Sequence, residues 1–104
     1  MYTQIPALLQ QALQLFQQGQ LSQAQVNLDQ VLRAQPRHFD ALHILGVIKA
    51  MEGRREEAIE LFRKALGQNK NHSFLQFNMA KALSESGRDE EALVHHRRAT
   101  QLAP

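Results

Sequence analysis

The chain has 104 residues and a mass of 11.9 kDa, room for one ordinary domain. Hydrophobic residues make up 43% and charged residues 21%, and with no cysteine the chain has no disulfide, thiolate metal site or cysteine nucleophile. A formal charge of +2 is too small to drive nucleic-acid binding, and the pI near 9.4 reflects only a slight excess of Lys and Arg. No apolar run is long enough to span a membrane. Met1 to Gln11 lacks the basic and apolar regions of a signal peptide. The expected setting is a soluble protein of the cytoplasm.

A period of 34 residues runs through the chain. Gly19, Gly53 and Gly87 keep it, as do Ala24, Ala58 and Ala92. So do Ala12, Gly46 and Ala80, and Val31, Ala65 and Ala99. Several small-residue columns at one spacing indicate stacked copies of one unit. The first helix is predicted over 5–18, where Leu8, Leu9, Ala12, Leu15 and Phe16 recur at helical spacing. It ends at Gly19, a position suited to a left-handed residue. The second, over 21–34, is stopped by Pro36, which has no N–H to continue the ladder. Helices over 39–52 and 55–68 repeat the pattern around Gly53. Helices over 73–86 and 89–102 repeat it around Gly87, and Pro104 lies two periods after Pro36. Glu56-Glu57 and Asp89-Glu90-Glu91 suit helix starts, and Arg63-Lys64 and Arg97-Arg98 are expected to complement helix ends. The pairs Gly46 with Ala58, Ala12 with Ala24, and Ala80 with Ala92 mark where two helices should cross most closely.

These columns resemble the tetratricopeptide repeat, a 34-residue helix–turn–helix unit. Repeat two carries the pattern best, with Leu42, Leu45, Gly46, Gly53, Ala58, Phe62 and Ala65. Repeat one reads Leu8, Ala12, Leu15, Gly19, Ala24, Leu28 and Pro36, and repeat three Met79, Ala80, Leu83, Gly87, Ala92, Ala99 and Pro104. The resemblance implies an all-α fold, an α-solenoid of three such repeats in a right-handed superhelix. The repeats divide as 5–38, 39–72 and 73–104 behind a short extension at 1–4. Gln11 and Gln76 depart from the pattern in place of large apolar residues, Lys49 in place of an aromatic, and His96 and Thr100 in the columns of Phe62 and Leu66. No polar capping helix follows Pro104, so the array is expected to be truncated there or covered by self-association.

No catalytic, cofactor or metal site is expected. His95 and His96 are adjacent on a helix and point about 100° apart. His38 and His43 straddle a helix start, and no H-x-x-x-H or H-E-x-x-H occurs. Phosphate loops, dinucleotide fingerprints and nucleophile elbows are missing too. The chain therefore reads as a protein–protein interaction module, with no enzyme activity in this segment.

In the family that the chain resembles, the first helices of the repeats line a concave groove. The matching positions are Pro6, Leu9, Gln10, Leu13, Phe16 and Gln17 in repeat one. Repeat two offers Asp40, His43, Ile44, Val47, Ala50 and Met51, and repeat three Phe74, Phe77, Asn78, Lys81, Ser84 and Glu85. Most are apolar, which suits an amphipathic helix or apolar extended segment of a partner. The resemblance also offers a carboxylate clamp at Leu9, Leu13, Ile44, Phe74 and Asn78, but only Asn78 fits, so no clamp is expected. Phe77-Asn78-Met79-Ala80-Lys81-Ala82-Leu83 and Ser86-Gly87-Arg88 are similar to repeats of the O-linked N-acetylglucosamine transferase family. That likeness implies a second reading, a substrate-recruiting arm of a larger glycosyltransferase-like enzyme. In the first repeat Asp29 is the only charge up to Leu32, and glutamines fill the polar positions. That neutral end is where a homo-oligomer or domain-swapped assembly is expected, the third reading.

Overall fold

A computed structural model describes residues 4–103, and these form six α-helices. They are α1 (Gln4–Gln17), α2 (Leu21–Ala34), α3 (Phe39–Met51), α4 (Arg55–Gln68), α5 (Ser73–Glu85) and α6 (Asp89–Leu102). Each end lies within one residue of its expected place. Pro104 and the residues before Gln4 lie outside the described residues, and with them the second proline of the pattern. Consecutive helices pack as hairpins, α1 on α2, α3 on α4 and α5 on α6, and the hairpins stack in chain order. Principal extents of 41 × 25 × 22 Å fit a stack that grows in one direction.

The three periodic glycines close the first helix of each hairpin. Gly19, Gly53 and Gly87 have φ of 77°, 80° and 79°, a region in which a side chain is strained. The N–H after each glycine reaches back across the turn to donate to a carbonyl in the last turn: Gln20 to Leu15 at 2.9 Å, Arg54 to Lys49 at 2.9 Å and Arg88 to Leu83 at 2.8 Å. These are the bonds of a Schellman motif, and they satisfy carbonyls that the helix leaves open.

A further periodic device starts the later hairpins. His38 and His72, also 34 apart, stand at the N-caps of α3 and α5. Each ring accepts through Nδ1 from the backbone N–H three residues on, Ala41 and Leu75, both at 3.2 Å. Histidine here does what a serine or aspartate usually does.

Two expectations are corrected. Arg63-Lys64 and Arg97-Arg98 do not complement helix ends, because the last turns of α4 and α6 hold no basic residue and a helix dipole acts within its last turn. Arg63 instead binds Glu91 at 3.0 Å and Arg88 binds Glu56 at 3.1 Å, tying the second hairpin to the third. And at Gly46 the near neighbour is not Ala58. A Cβ built on Gly46 would collide with the Phe62 ring, reaching 2.7 Å from Cδ1. The missing side chain makes room for an aromatic ring.

The core falls into two clusters. One gathers Ile5, Ala12, Ala24, Leu28, Val31, Ala41, Leu45 and Ile48, and the other centres on Leu42, Phe62, Leu75, Met79 and Leu83. The helix α3 feeds both, which explains why it is apolar on nearly every side. Gln76 is 5% exposed in this interior, yet its amide is satisfied. Its Nε2 donates to the Lys70 carbonyl at 2.7 Å, and its Oε1 accepts from His95 Nδ1 at 2.8 Å. Both residues occupy columns that hold leucines, Leu42 and Leu61, one repeat earlier.

Candidate functional site

The first helices present the residues expected to line a groove, and the structure gathers some of them. Between α3 and α5 lies a cleft of about 280 Å³, lined by Val47, Ala50, Met51, Phe62, Asn78, Lys81, Ala82 and Glu85. It thus brings together Val47, Ala50, Met51, Asn78, Lys81 and Glu85 of the expected positions. Met51 is 61% exposed at its rim, where an unbranched thioether can adapt to a contact.

Asn78 ties this cleft to α3. Its Nδ2 donates to His43 Nε2 at 2.9 Å, so the His43 proton rests on Nδ1. His43 also sits in an aromatic cluster, with ring centroids 6.0 Å from Phe62 and 5.4 Å from His72. Burial, with the neighbouring His72, pushes the His43 imidazole below its usual range, against the pull of Asp40. A ring kept neutral can accept from Asn78, and a protonated one cannot. Asp40 itself is exposed at the start of α3.

The other expected residues lie elsewhere. Leu9, Phe16 and Ile44 are half-buried and pack on the first core cluster, while Leu13, with the smaller Pro6 and Ala7, is exposed on α1. Phe74 and Phe77, 72% and 48% exposed, face α6 more than α3. They line a hollow of about 520 Å³ with Asn78, His96, Ala99 and Thr100. Phe77 and Lys81 border a second hollow, about 500 Å³, with Ala92, Leu93 and His96. His96 and Thr100, exposed in the Phe62 and Leu66 columns, leave this side of the last hairpin open. On the first hairpin Gln10, Gln11, Gln14 and Gln17 are exposed on α1, beside the exposed Leu13 of α1 and Val26 of α2.

Three features escaped sequence reasoning: the histidine caps, the His43–Asn78 bond and the Gln76–His95 pair. The caps carried a signal, because His38 and His72 keep the 34-residue period directly before two helix starts. The other two join residues with no shared column. Among the described residues no helix is long and apolar enough to cross a membrane, and no three His, Asp or Glu side chains gather to hold a metal.

Six helices, three left-handed glycine turns and stacked hairpins define a helical-repeat scaffold. A family model for the tetratricopeptide repeat matches residues 9–73 and a second matches 49–103, so the chain belongs to the tetratricopeptide-repeat family. That fold is a scaffold for protein–protein contacts. The chain is 38% identical over 64 residues to the uncharacterized protein y4yS of Sinorhizobium fredii, covering 62% of this chain and 35% of that protein's length. Among solved structures it is similar to a mutant of MamA, with a TM-score of 0.86 and 31% identity over 96% of this chain and 73% of that one. It is also similar to a mutant O-GlcNAc transferase of Thermobaculum terrenum, with a TM-score of 0.94 and 26% identity. That alignment covers 99% of this chain and 20% of the transferase.

Proposed function

We propose that the chain is a non-catalytic module of the cytoplasm that takes up a segment of a partner protein on the face formed by α1, α3 and α5. The segment is an amphipathic helix or an apolar extended stretch, held by hydrophobic contacts. The observation that carries this reading is the α3–α5 cleft, floored by Val47, Ala50 and Phe62 and flanked by Met51. Leu9, Leu13, Phe16 and Ile44 extend the same face toward the first hairpin, and Phe74 and Phe77 extend it toward the last.

Selection of displayed peptides against the chain tests the proposal. Selected peptides should lose binding to Met51→Glu and to Phe77→Glu while circular dichroism shows unchanged helix content. Both side chains are exposed, so neither substitution opens the core. Peptides that bind both variants as well as the wild type would show that the groove is misassigned.

The likeness to O-GlcNAc transferase favours a second reading, in which these repeats recruit substrate for a catalytic domain of a longer protein. The two readings predict different gene products, and the length of the native polypeptide on an immunoblot separates them. The open hollows beside Phe74, Phe77 and Leu93 favour a third, pairing with a second copy through the last hairpin. Light scattering at high concentration tests that pairing, and a strict monomer would exclude it.

A further inference from the structure

We infer a second binding site, for the phosphate group of a phosphate monoester, in a cleft beside α6. The cleft, about 450 Å³, is lined by Lys70, Gln76, Val94, His95, Arg97, Arg98 and Gln101. It shares no lining residue with the α3–α5 cleft and lies on the other helix of the last hairpin, so it stands apart from the proposed groove.

Three permanent cations surround it, and no carboxylate lines it. Among the described residues, none of Lys70, Arg97 and Arg98 forms a salt bridge. Glu91, the carboxylate that acts on His95, is bound by Arg63 at 3.0 Å. The helix dipole does not account for Arg97 and Arg98, which precede the last turn of α6. The same columns 34 residues earlier hold Arg63, Lys64 and Pro36, and there Arg63 is engaged by Glu91. Of these matching positions, only those where the second and third repeats meet place three cations without a salt bridge together.

The floor is polar and fixed. Gln76 and His95 replace a leucine pair of repeat two, and each holds the other in place. Gln76 also binds the Lys70 carbonyl, which anchors the backbone of that lysine. Arg98 donates to Asn71 Oδ1 and, at 3.4 Å, to Gln101 Oε1, so its guanidinium is held at the rim with N–H groups to spare. Arg97 and Arg98 border the cleft from adjacent helix positions, and guanidinium groups together with an ammonium suit a dianionic group with three terminal oxygens. The cleft is larger than phosphate alone needs, and the exposed Val94 offers apolar contact to the organic part of an ester.

Titration with phenyl phosphate and with inorganic phosphate tests this, followed through the His95 ring resonances by NMR at constant ionic strength. Phenyl phosphate should give a saturable shift and bind more tightly than inorganic phosphate. Arg97→Gln and Lys70→Gln should each weaken it about ten-fold or more, while Arg33→Gln on α2 leaves it unchanged. Both substitutions are at surface residues, and circular dichroism checks the fold. Shifts that chloride reproduces, or variants that titrate like the wild type, would overturn the site. Equal affinity for the two phosphates would overturn the assignment to an ester.

Discussion

The Phe62 ring lies over Gly46 so closely that the glycine cannot carry a side chain. The two residues belong to facing columns, and those columns vary together along the chain. Repeat one pairs Ala12 with Leu28, and repeat two pairs Gly46 with Phe62. Both combinations are buried. Repeat three pairs Ala80 with the exposed His96. One helix crossing is thus filled by two size combinations, and opens at the third.

Gly46→Ala is therefore expected to destabilise the chain by overpacking of about 1–3 kcal/mol, partly offset by up to about 1 kcal/mol from alanine's better helix propensity. Adding Phe62→Leu reproduces the pair of repeat one and should recover part of the loss. Urea denaturation of both single variants and the double gives the coupling. A double variant that merely sums the two losses would show that the ring and the glycine act independently.

How much of this was legible follows from what leaves a periodic mark. A turn that needs positive φ leaves a glycine every 34 residues, so Gly19, Gly53 and Gly87 located the helix ends. Helix faces were legible for the same reason. The partner of Gly46 was not, because the choice between Ala58 and Phe62 depends on side-chain reach across the crossing. The role of Arg97 and Arg98 was misread because their distance from the helix end decides whether the dipole acts on them. The groove residues were found as a set by register. Their division between the α3–α5 cleft and the open side of α6 depends on which neighbouring helix is present.

His43 makes stability depend on pH. Burial and His72 lower its proton affinity in the folded chain relative to the ordinary value of 6.5. Just below that pH the unfolded chain binds the proton and the folded chain does not. The contribution is therefore complete above 6.5 and is lost as pH falls through 6.5 toward the lowered folded value. His95, also lowered by burial and by Arg63 against the pull of Glu91, adds in the same direction. Urea midpoints should drop as pH falls through 6.5, and His43→Gln should flatten the slope. A slope unaffected by that substitution would remove His43 from the account.

Asn27 occupies the column of Leu61 and His95, opposite Leu8. Its Nδ2 is buried and has no hydrogen-bond partner among the described residues. Burying an unpaired amide donor costs about 1–3 kcal/mol. Asn27→Leu, which restores the residue of repeat two, should raise the thermal midpoint. The reverse holds in the facing column of the last repeat: Gln76→Leu alone should destabilise, because it orphans His95 Nδ1. Calorimetry on the two variants should give shifts of opposite sign, and shifts of the same sign would contradict this pairing.

The caps give a separate test. His72→Ala removes the acceptor for the Leu75 N–H and should cost about 1 kcal/mol, whereas His72→Asp keeps an acceptor at the same place. Equal losses for both variants, read by urea denaturation, would mean that the ring matters through its contacts with Phe39, His43 and Phe74 and not through the cap.

The first core cluster closes over Ala41, Leu45 and Ile48 of α3, so an apolar contact joins the first hairpin to the second. Leu32 and Leu61 pack against both core clusters, and the ion pairs Arg63–Glu91 and Arg88–Glu56 brace only the second hairpin against the third. Between the first and second hairpins the corresponding tie is a single hydrogen bond and no ion pair, the Gln25 amide donating to the Glu52 carboxylate at 2.8 Å. The molecule consequently has a seam. Under load or in mild denaturant the first hairpin should peel away while the other two stay joined, with its amides exchanging ahead of theirs. A scaffold built this way yields in sequence and not all at once, so its grip on a partner can loosen at one end before it is lost.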